Sequence, residues 1–466
     1  MRTFCRRDVL KTLALGGVSR PMCRALWLEA APANEPSLPP DFVSLVRSYV
    51  TQDVLFMHVG RNIGGLIELK NGSLLGVSTE GRSTSADGGR SWTETEPIHD
   101  VEGRVLNRGL AHLVRLKSGA IGGFSGGESS EKTQYGMSPW FVRSEDEGKS
   151  WSKPVRVGEP YNNAVMHGAT ITNTGRIVIS VYTLIGKTIW EEGKAPFRDR
   201  IALVGHHGYE NFFSYCWAYY SDDEGRTWQP NAGRGIWGAG GELFVTLDQS
   251  AGGNYCCEEP VVAEVNPGHL LMLLRTALGR FYQAWSADNG TTWTRPEPST
   301  LASAYAPASL MRIAGTEDLL VIWNQSSAEE IERGWQRHRL SSAISKDGGV
   351  TWIHGRNVFS IFAKRQDFTR IEPPPVRIYR VMAEAPTLPP NDLEGTYPSI
   401  SFWRDTVLIR FSCTERAFYI YDSEGKTGYQ RRNMSPEERQ RREGQKRPSV
   451  GASVCIGLPI SWFYSS

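Results

Sequence analysis

This chain of 466 residues has no excess of charge of either sign, no long apolar run after its N-terminus and no even set of cysteines. Basic residues number 52 and acidic residues 50, a formal net charge of +2. No global field therefore draws the protein to nucleic acid or to an anionic membrane, and any charge that matters must be local. No stretch approaches the roughly 18 apolar residues that a membrane span requires. Of the seven cysteines, Cys5 and Cys23 lie in the first 35 residues. Cys216, Cys256, Cys257, Cys413 and Cys455 remain, an odd number that implies no disulfide framework. The adjacent Cys256 and Cys257 read as small buried residues rather than a redox pair. Gly-rich phosphate loops, Cys/His metal spacings and nucleophile-elbow serines are all missing, so neither a metal nor a nucleotide cofactor is expected.

What is present is glycine (48), proline (26), tryptophan (15) and tyrosine (17), with short Val, Ile and aromatic runs alternating with polar residues. This is the composition of an all-β protein built from short strands and tight turns. The N-terminus reads Arg6-Arg7-Asp8-Val9-Leu10-Lys11, then an apolar stretch through Val18, then Ala30-Ala31-Pro32-Ala33. It resembles a twin-arginine export signal, so residues 1–35 are set aside and the protein is expected to be periplasmic or secreted. Residues 36–466 are expected to form a single fold.

Self-similarity sets the architecture. Five segments share the pattern Ser-x-Asp-x-Gly-x-Ser/Thr-Trp, beginning at Ser85, Ser144, Ser221, Ser286 and Ser345 and ending at Trp92, Trp151, Trp228, Trp293 and Trp352. In each, the Asp carboxylate can accept bonds from the turn's own amides, the Gly takes a positive φ and the Trp supplies an apolar anchor. The motif is a hairpin clip, and its Asp residues hold turns rather than perform catalysis. Asp87, Asp146, Asp223, Asp288 and Asp347 are separated by 59, 77, 65 and 59 positions, about one four-stranded sheet plus loops each.

A second repeated element is a pair of apolar runs hinged on a turn. It occurs at 66–77, 110–124, 169–181, 261–274, 308–323 and 400–411. Six hairpins and five clips predict a six-bladed β-propeller of four-stranded antiparallel blades, with a sixth blade that has lost its clip. Strands at 53–59 and 453–464 are expected to close the ring. A basic segment at about 425–448, containing Ser435-Pro436-Glu437-Glu438 as a helix start, reads as a solvated insertion in the last blade.

The five clips, known as Asp-boxes, and the six hairpins resemble the sialidase (neuraminidase) superfamily over essentially the whole mature chain. The boxes establish fold better than activity, which must be argued from the site. The resemblance implies a site at one end of the ring's axis: an arginine triad on the substrate carboxylate, a Tyr nucleophile assisted by a Glu, and an Asp acid/base. Guanidinium forks suit bidentate capture of an anionic sugar, and a nucleophilic phenol needs a carboxylate to take its proton. A Tyr replaces the usual carboxylate nucleophile because the substrate itself carries a carboxylate.

In the fourth hairpin Glu259 and Arg275 are equidistant from Pro267, so they should face each other across the ladder at one rim. They resemble the family's Glu and one triad Arg, a structural rim salt bridge being the other reading. Glu258 should point to the opposite face. Tyr397-Pro398-Ser399-Ile400 resembles the segment that begins with the nucleophilic Tyr. In the first hairpin the family's Arg-Ile-Pro is replaced by Arg61-Asn62-Ile63-Gly64, with Asn62 at the aligned place. Counting outwards from Asn71-Gly72 sets Arg61 opposite Arg82 and Ile63 opposite Glu80, a cluster that either rebuilds an anion site or forms solvated rim charges. The third triad position is Ala343, with Arg339 and Arg337 the nearest replacements upstream. The acid/base loop is missing, leaving Glu80, Asp100 and Glu102 as candidate proton donors. His112 and His167, early in the first strands of the second and third hairpins, either face the funnel or are satisfied strand histidines.

The resemblance implies a retaining exo-glycoside hydrolase removing a terminal acidic sugar from glycans, with Tyr397, Glu259 and Glu80 catalytic and Arg61, Arg82, Arg275, Arg339 and His167 binding substrate. Two other functions fit the departures: hydrolysis of a different acidic sugar, and a non-catalytic propeller that binds glycan or protein.

Overall fold

Every hairpin expected from the repeats becomes the first two strands of a blade. The computed structural model describes residues 40–106, 109–125, 139–158, 165–188, 193–197, 200–205, 208–232, 243–244, 257–276, 278–327, 330, 337–362, 393–415 and 450–465. Blade 1 comprises Gly65–Glu68, Leu74–Val77 and Arg82–Ser85, with an Arg82–Glu96 bridge in the place of a fourth strand. Blade 2 is His112–Arg115, Ile121–Ser125, Trp140–Ser144 and Val155–Arg156. Blade 3 is Val165–Ile171, Ile177–Thr188, Gly208–Ser221 and Gln229–Pro230, blade 4 is Cys257–Asn266, His269–Thr276, Arg280–Ser286 and Glu297–Ala302, and blade 5 is Ala308–Arg312, Leu319–Trp323, Arg339–Ser345 and Ile353–Ser360. Blade 6 takes Leu393–Trp403, Thr406–Glu415 and Val450–Pro459 from the end of the chain and Phe56–Val59 from its beginning.

The first strands of the six blades neighbour one another in sequence order, and that of blade 6 returns to that of blade 1, closing a six-bladed β-propeller. Among the described residues, six apolar clusters fill the six interfaces between successive blades. A strand buried on both faces needs apolar side chains at odd and even positions alike. The run Leu270-Leu271-Met272-Leu273-Leu274 shows this: alternate residues go to blade 3 and to blade 5, and all five are at most 1 % exposed. Each such side chain contributes roughly 1.5–3 kcal/mol of burial.

The Ser-x-Asp-x-Gly turns join third to fourth strands. In the first, Asp87 accepts from the Ser85 and Ser91 hydroxyls at 2.8 and 2.5 Å and from the Ser91 amide at 2.9 Å. Burial works to raise the Asp87 pKa, but these bonds and the Arg90 amide hold it down at about 2. Gly225 of the third turn has φ +85, and a Cβ there would lie 2.0 Å from the Phe141 ring of blade 2. That glycine serves the turn's conformation and the close approach of the neighbouring blade at once. Adjacent turn carboxylates stitch blade to blade. Glu147 accepts from the Lys70 amide at the tip of blade 1's hairpin, and Glu224 from the Ser118 amide at the tip of blade 2's. All these turns and tips therefore share one end of the ring.

The sixth blade's lack of a clip has a topological cause. Its third and fourth strands come from opposite ends of the chain, so no turn joins them. Three features differ from expectation. Residues Ile460–Tyr464 form a 3-10 helix, with Trp462 and Phe463 buried, instead of continuing the closing strand. Helix Pro40–Tyr49 places Phe42 and Val46 in the core between blades 5 and 6. Blade 3 carries an extra hairpin, Gly193–Phe197 with Arg200–Gly205, which accounts for the 77-residue spacing. The insertion at about 425–448 lies outside the described residues, as does Cys256. No disulfide joins the described cysteines, and Cys257 Sγ lies 3.1 Å from Cys216 Sγ of blade 3.

Candidate active site

The turns occupy one end of the ring, and the starts of the first strands occupy the other. Three of these strands open with a proline one or two residues behind a polar side chain: Glu259-Pro260 in blade 4, Tyr305-Ala306-Pro307 before blade 5, and Tyr397-Pro398 in blade 6. Proline cannot donate to a ladder, so it is placed where pairing is interrupted. In blade 4 the register breaks between Glu258 and Val261, and in blade 6 between Thr396 and Ser399. At both breaks the residue before proline has positive φ, 40° for Glu259 and 54° for Tyr397. Neither is a glycine, so the backbone is strained at both places, and such strain persists only where its surroundings impose it. Bulges of this kind re-aim side chains, and here the two point at each other.

The Tyr397 hydroxyl donates to Glu259 Oε1 at 2.9 Å, and Arg275 Nη1 donates to Glu259 Oε2. Glu258 Oε2 stands 3.6 Å from the same Arg275 nitrogen, and the Tyr305 hydroxyl donates to Glu258 Oε1 at 2.5 Å. The Tyr305 ring covers the Arg275 guanidinium, with 3.8 Å from its carbon to the ring centroid. Arg275 and Glu258 are 1 % exposed and Glu259 is 4 % exposed. One buried cation thus faces two buried carboxylates, each the acceptor of a phenol.

The sequence count is corrected here. The bulge adds a residue, so Glu258, not Glu259, is the ladder partner of Arg275, and both carboxylates reach it. Burial first, then the Glu259 charge, push Tyr397 up to about 12, with Arg337 and Arg275 opposing and the Glu259 hydrogen bond adding. The phenol is therefore neutral at pH 7 and can lose its proton only as Glu259 takes it. Tyr182, buried under the pair, is likewise raised, by burial and by Glu259 and Glu258.

The arginines divide. Arg339 donates to Glu330 at 2.6 Å, and its guanidinium lies over Phe362. The guanidinium beside Tyr397 is instead that of Arg337, 5.5 Å from the ring centroid, with its Nε buried and unpartnered. Arg61 donates to the Thr93 carbonyl at 2.8 Å. Arg82 reaches the turn end of the ring, donating to the Gly148 carbonyl at 3.1 Å. The expected pairing of Arg61 with Arg82 and of Ile63 with Glu80 does not form, because Arg82 begins the third strand and pairs with Val77. Glu80 sits exposed on the tight turn from Ser78 to Gly81, which joins the second and third strands of blade 1 at the site end.

Asp100 is buried, bonded by the Glu102 and Arg104 amides and by the Arg104 side chain. Glu102 pairs with Arg104 and Lys153. The backbone of His167 lies at a bulge between Met166 and Gly168, beside blade 4, where a Cβ on Gly168 would be 3.0 Å from Val261 Cα. The His167 side chain lies outside the described residues. His112 begins the first strand of blade 2, half-buried and paired with Phe124.

Glu258 and Tyr305 were missed as site residues. Their signal was the proline after each, which marks the bulged strand starts. Among the described residues, no group of three His, Cys, Asp or Glu side chains is arranged to hold a metal, and no helix is long and apolar enough to cross a membrane.

A family model described as "BNR repeat-like domain" matches residues 81–409. A curated sialidase of Bacteroides fragilis is 25 % identical over 336 residues, which are 62 % of this chain and 53 % of the relative. The chain thus spans about half the length of that relative. Among solved structures, the "Hadza microbial sialidase Hz136" aligns at 18 % identity and TM-score 0.46, over 76 % of this chain and 63 % of that one. A Dyadobacter fermentans protein of unknown function aligns at 17 % identity and TM-score 0.46, over 88 % and 96 %.

Proposed function

The chain belongs to the BNR repeat-like domain family, and from that premise we propose that it is a retaining exo-glycoside hydrolase that removes a terminal acidic sugar, sialic acid first, from glycans. The observation that carries this reading is the Tyr397–Glu259–Arg275 relay. A phenol is a poor nucleophile until a base accepts its proton. Glu259 is at hydrogen-bond distance, and Arg275 keeps that carboxylate ionised and aimed. The Tyr397 oxygen would bond to the anomeric carbon as the aglycone oxygen departs with a proton from an acid, and the Tyr397 proton passes to Glu259. Water then cleaves the tyrosyl–sugar bond, and Glu259 returns its proton to Tyr397.

Glu80 is our candidate acid, because it lies on a site-end turn and no bond of its carboxylate is recorded among the described residues. A second reading, hydrolysis of another acidic sugar, draws support from Asn62 in place of the family arginine and from the engagement of Arg61, Arg82 and Arg339 elsewhere. The Arg6-Arg7 segment supports work outside the cytoplasm.

The test is sugar release from aryl glycosides of sialic, glucuronic and galacturonic acids by the wild type and by Tyr397→Phe. Release by the wild type, lost at least a thousandfold in Tyr397→Phe, is expected. Full activity in Tyr397→Phe would exclude the nucleophile, and inactivity of folded wild type on every glycoside would leave a binding propeller.

A further inference from the structure

Charge balance at the site creates a problem for any acidic ligand. Arg275 already faces two carboxylates, so that cluster carries a net negative charge and repels a substrate carboxylate. The attraction must come from guanidinium groups that have no carboxylate of their own. Arg337, over the Tyr397 ring, is one. The other lies in blade 6, directly across the ladder from the Tyr397-Pro398 bulge.

Arg410 pairs with Ser399, the first residue after the bulge, and its Nη2 donates to Ser399 Oγ at 2.9 Å. Its side chain is half-buried, its Nε is buried with no hydrogen-bond partner, and no carboxylate among the described residues forms an ion pair with it. Strand alternation puts Arg410 on the same face as Leu408, which packs with Cys455, Ile63 and Leu66 in the crevice between blades 6 and 1. The guanidinium therefore lies in the crevice whose blade 1 wall includes Ile63, next to Asn62. Blade 1 supplies no cation there: Asn62 turns to the Thr79 hydroxyl and Arg61 to the Thr93 carbonyl. Burial without a counter-ion also pushes Arg410 down to about 10, the mark of a charge waiting for a partner.

We propose that Arg410, acting with Arg337, binds the carboxylate of the acidic sugar, and that the last blade thereby supplies the cation that the first blade lacks. This rests on the reading of the site as one for acidic sugars, and it assigns to Arg275 the holding of Glu259 rather than of substrate. A buried, unpaired guanidinium disfavours the empty fold, whereas a bound carboxylate satisfies it.

The experiment measures dissociation constants by calorimetry, for wild type, Arg410→Met and Arg410→Gln, with free sialic, glucuronic and galacturonic acids and with the methyl ester of each; melting temperatures are taken alongside. Arg410→Met should melt no lower than wild type and bind the preferred acid at least tenfold more weakly, with the methyl ester bound equally by both proteins. Equal affinity of wild type and variants for the acid overturns the proposal. So does failure of both variants to fold, which would make Arg410 a structural group. No binding of any acid to wild type overturns it together with the acidic-sugar reading. Arg410-dependent binding of an acid whose glycosides are not cleaved sustains the proposal while the hydrolase reading fails.

Discussion

Removing either partner of a buried ion pair is commonly expected to cost the same, yet the site at Arg275 should break that symmetry. One cation there faces two carboxylates, all three buried. In Glu259→Gln, Arg275 keeps Glu258 at 3.6 Å, a pair worth about 4–5 kcal/mol of attraction at an effective dielectric of ~20. What is lost is a charge-assisted hydrogen bond, about 1.5–3 kcal/mol, partly offset by relief of the Glu258–Glu259 repulsion. A net cost of about 1–2 kcal/mol is expected. Arg275→Met instead leaves two carboxylates buried against each other, and orphaning buried charge costs about 3–5 kcal/mol or more. Urea unfolding followed by tryptophan fluorescence reads both numbers, and the gap should be at least about 2 kcal/mol. On a cleavable glycoside Glu259→Gln should also slow turnover by about 10²–10⁴-fold, the usual worth of a positioned base. Equal destabilisation by the two substitutions would refute the charge count. An undiminished rate in Glu259→Gln would refute its role as the base for Tyr397.

The turn carboxylates make an acid-stability prediction. Asp87 is held at about 2, and Asp146, Asp223, Asp288 and Asp347 are also lowered. A depressed folded value gives stability that is present above the unfolded value of ~3.9 and lost as pH falls towards 2. Stability should therefore fall between about pH 4 and pH 2, with a shallower fall in Asp87→Asn, as read by denaturant midpoints across that range. Glycine substitutions separate conformation from contact. Gly225→Ala meets the Phe141 ring at 2.0 Å as well as a φ of +85, whereas Gly315→Ala has φ +76 and nothing within 4 Å. The second should cost only about 1–2 kcal/mol and the first clearly more; equal melting temperatures would contradict the packing of the third turn on blade 2.

The blades were legible because each is a local object. Asn71-Gly72 or Pro267-Gly268 between apolar runs makes a hairpin whatever surrounds it, and Ser-x-Asp-x-Gly-x-Ser/Thr-Trp satisfies its own amides within eight residues. Spacing then counted the blades, and proline after Glu259 and Tyr397 marked the strand starts. Register at those starts was not legible. Counting from a turn assumes an unbroken ladder, and one inserted residue at each bulge exchanged Glu258 for Glu259 as the partner of Arg275. Nor could sequence choose among the arginines. Arg337 and Arg339 are two residues apart, and only the position of Glu330 decides which is spent on structure and which reaches Tyr397. The sequence by itself determined the elements whose energies are local: the six hairpins, the five clips and the burial of both faces of every central strand. Only the tertiary structure, by closing the ring with strands from both ends of the chain, brought Tyr397 to Glu259 across 138 residues and left Arg410 without a carboxylate. Electrostatic partnership depends on distance in space, and on that the order of residues along the chain is silent.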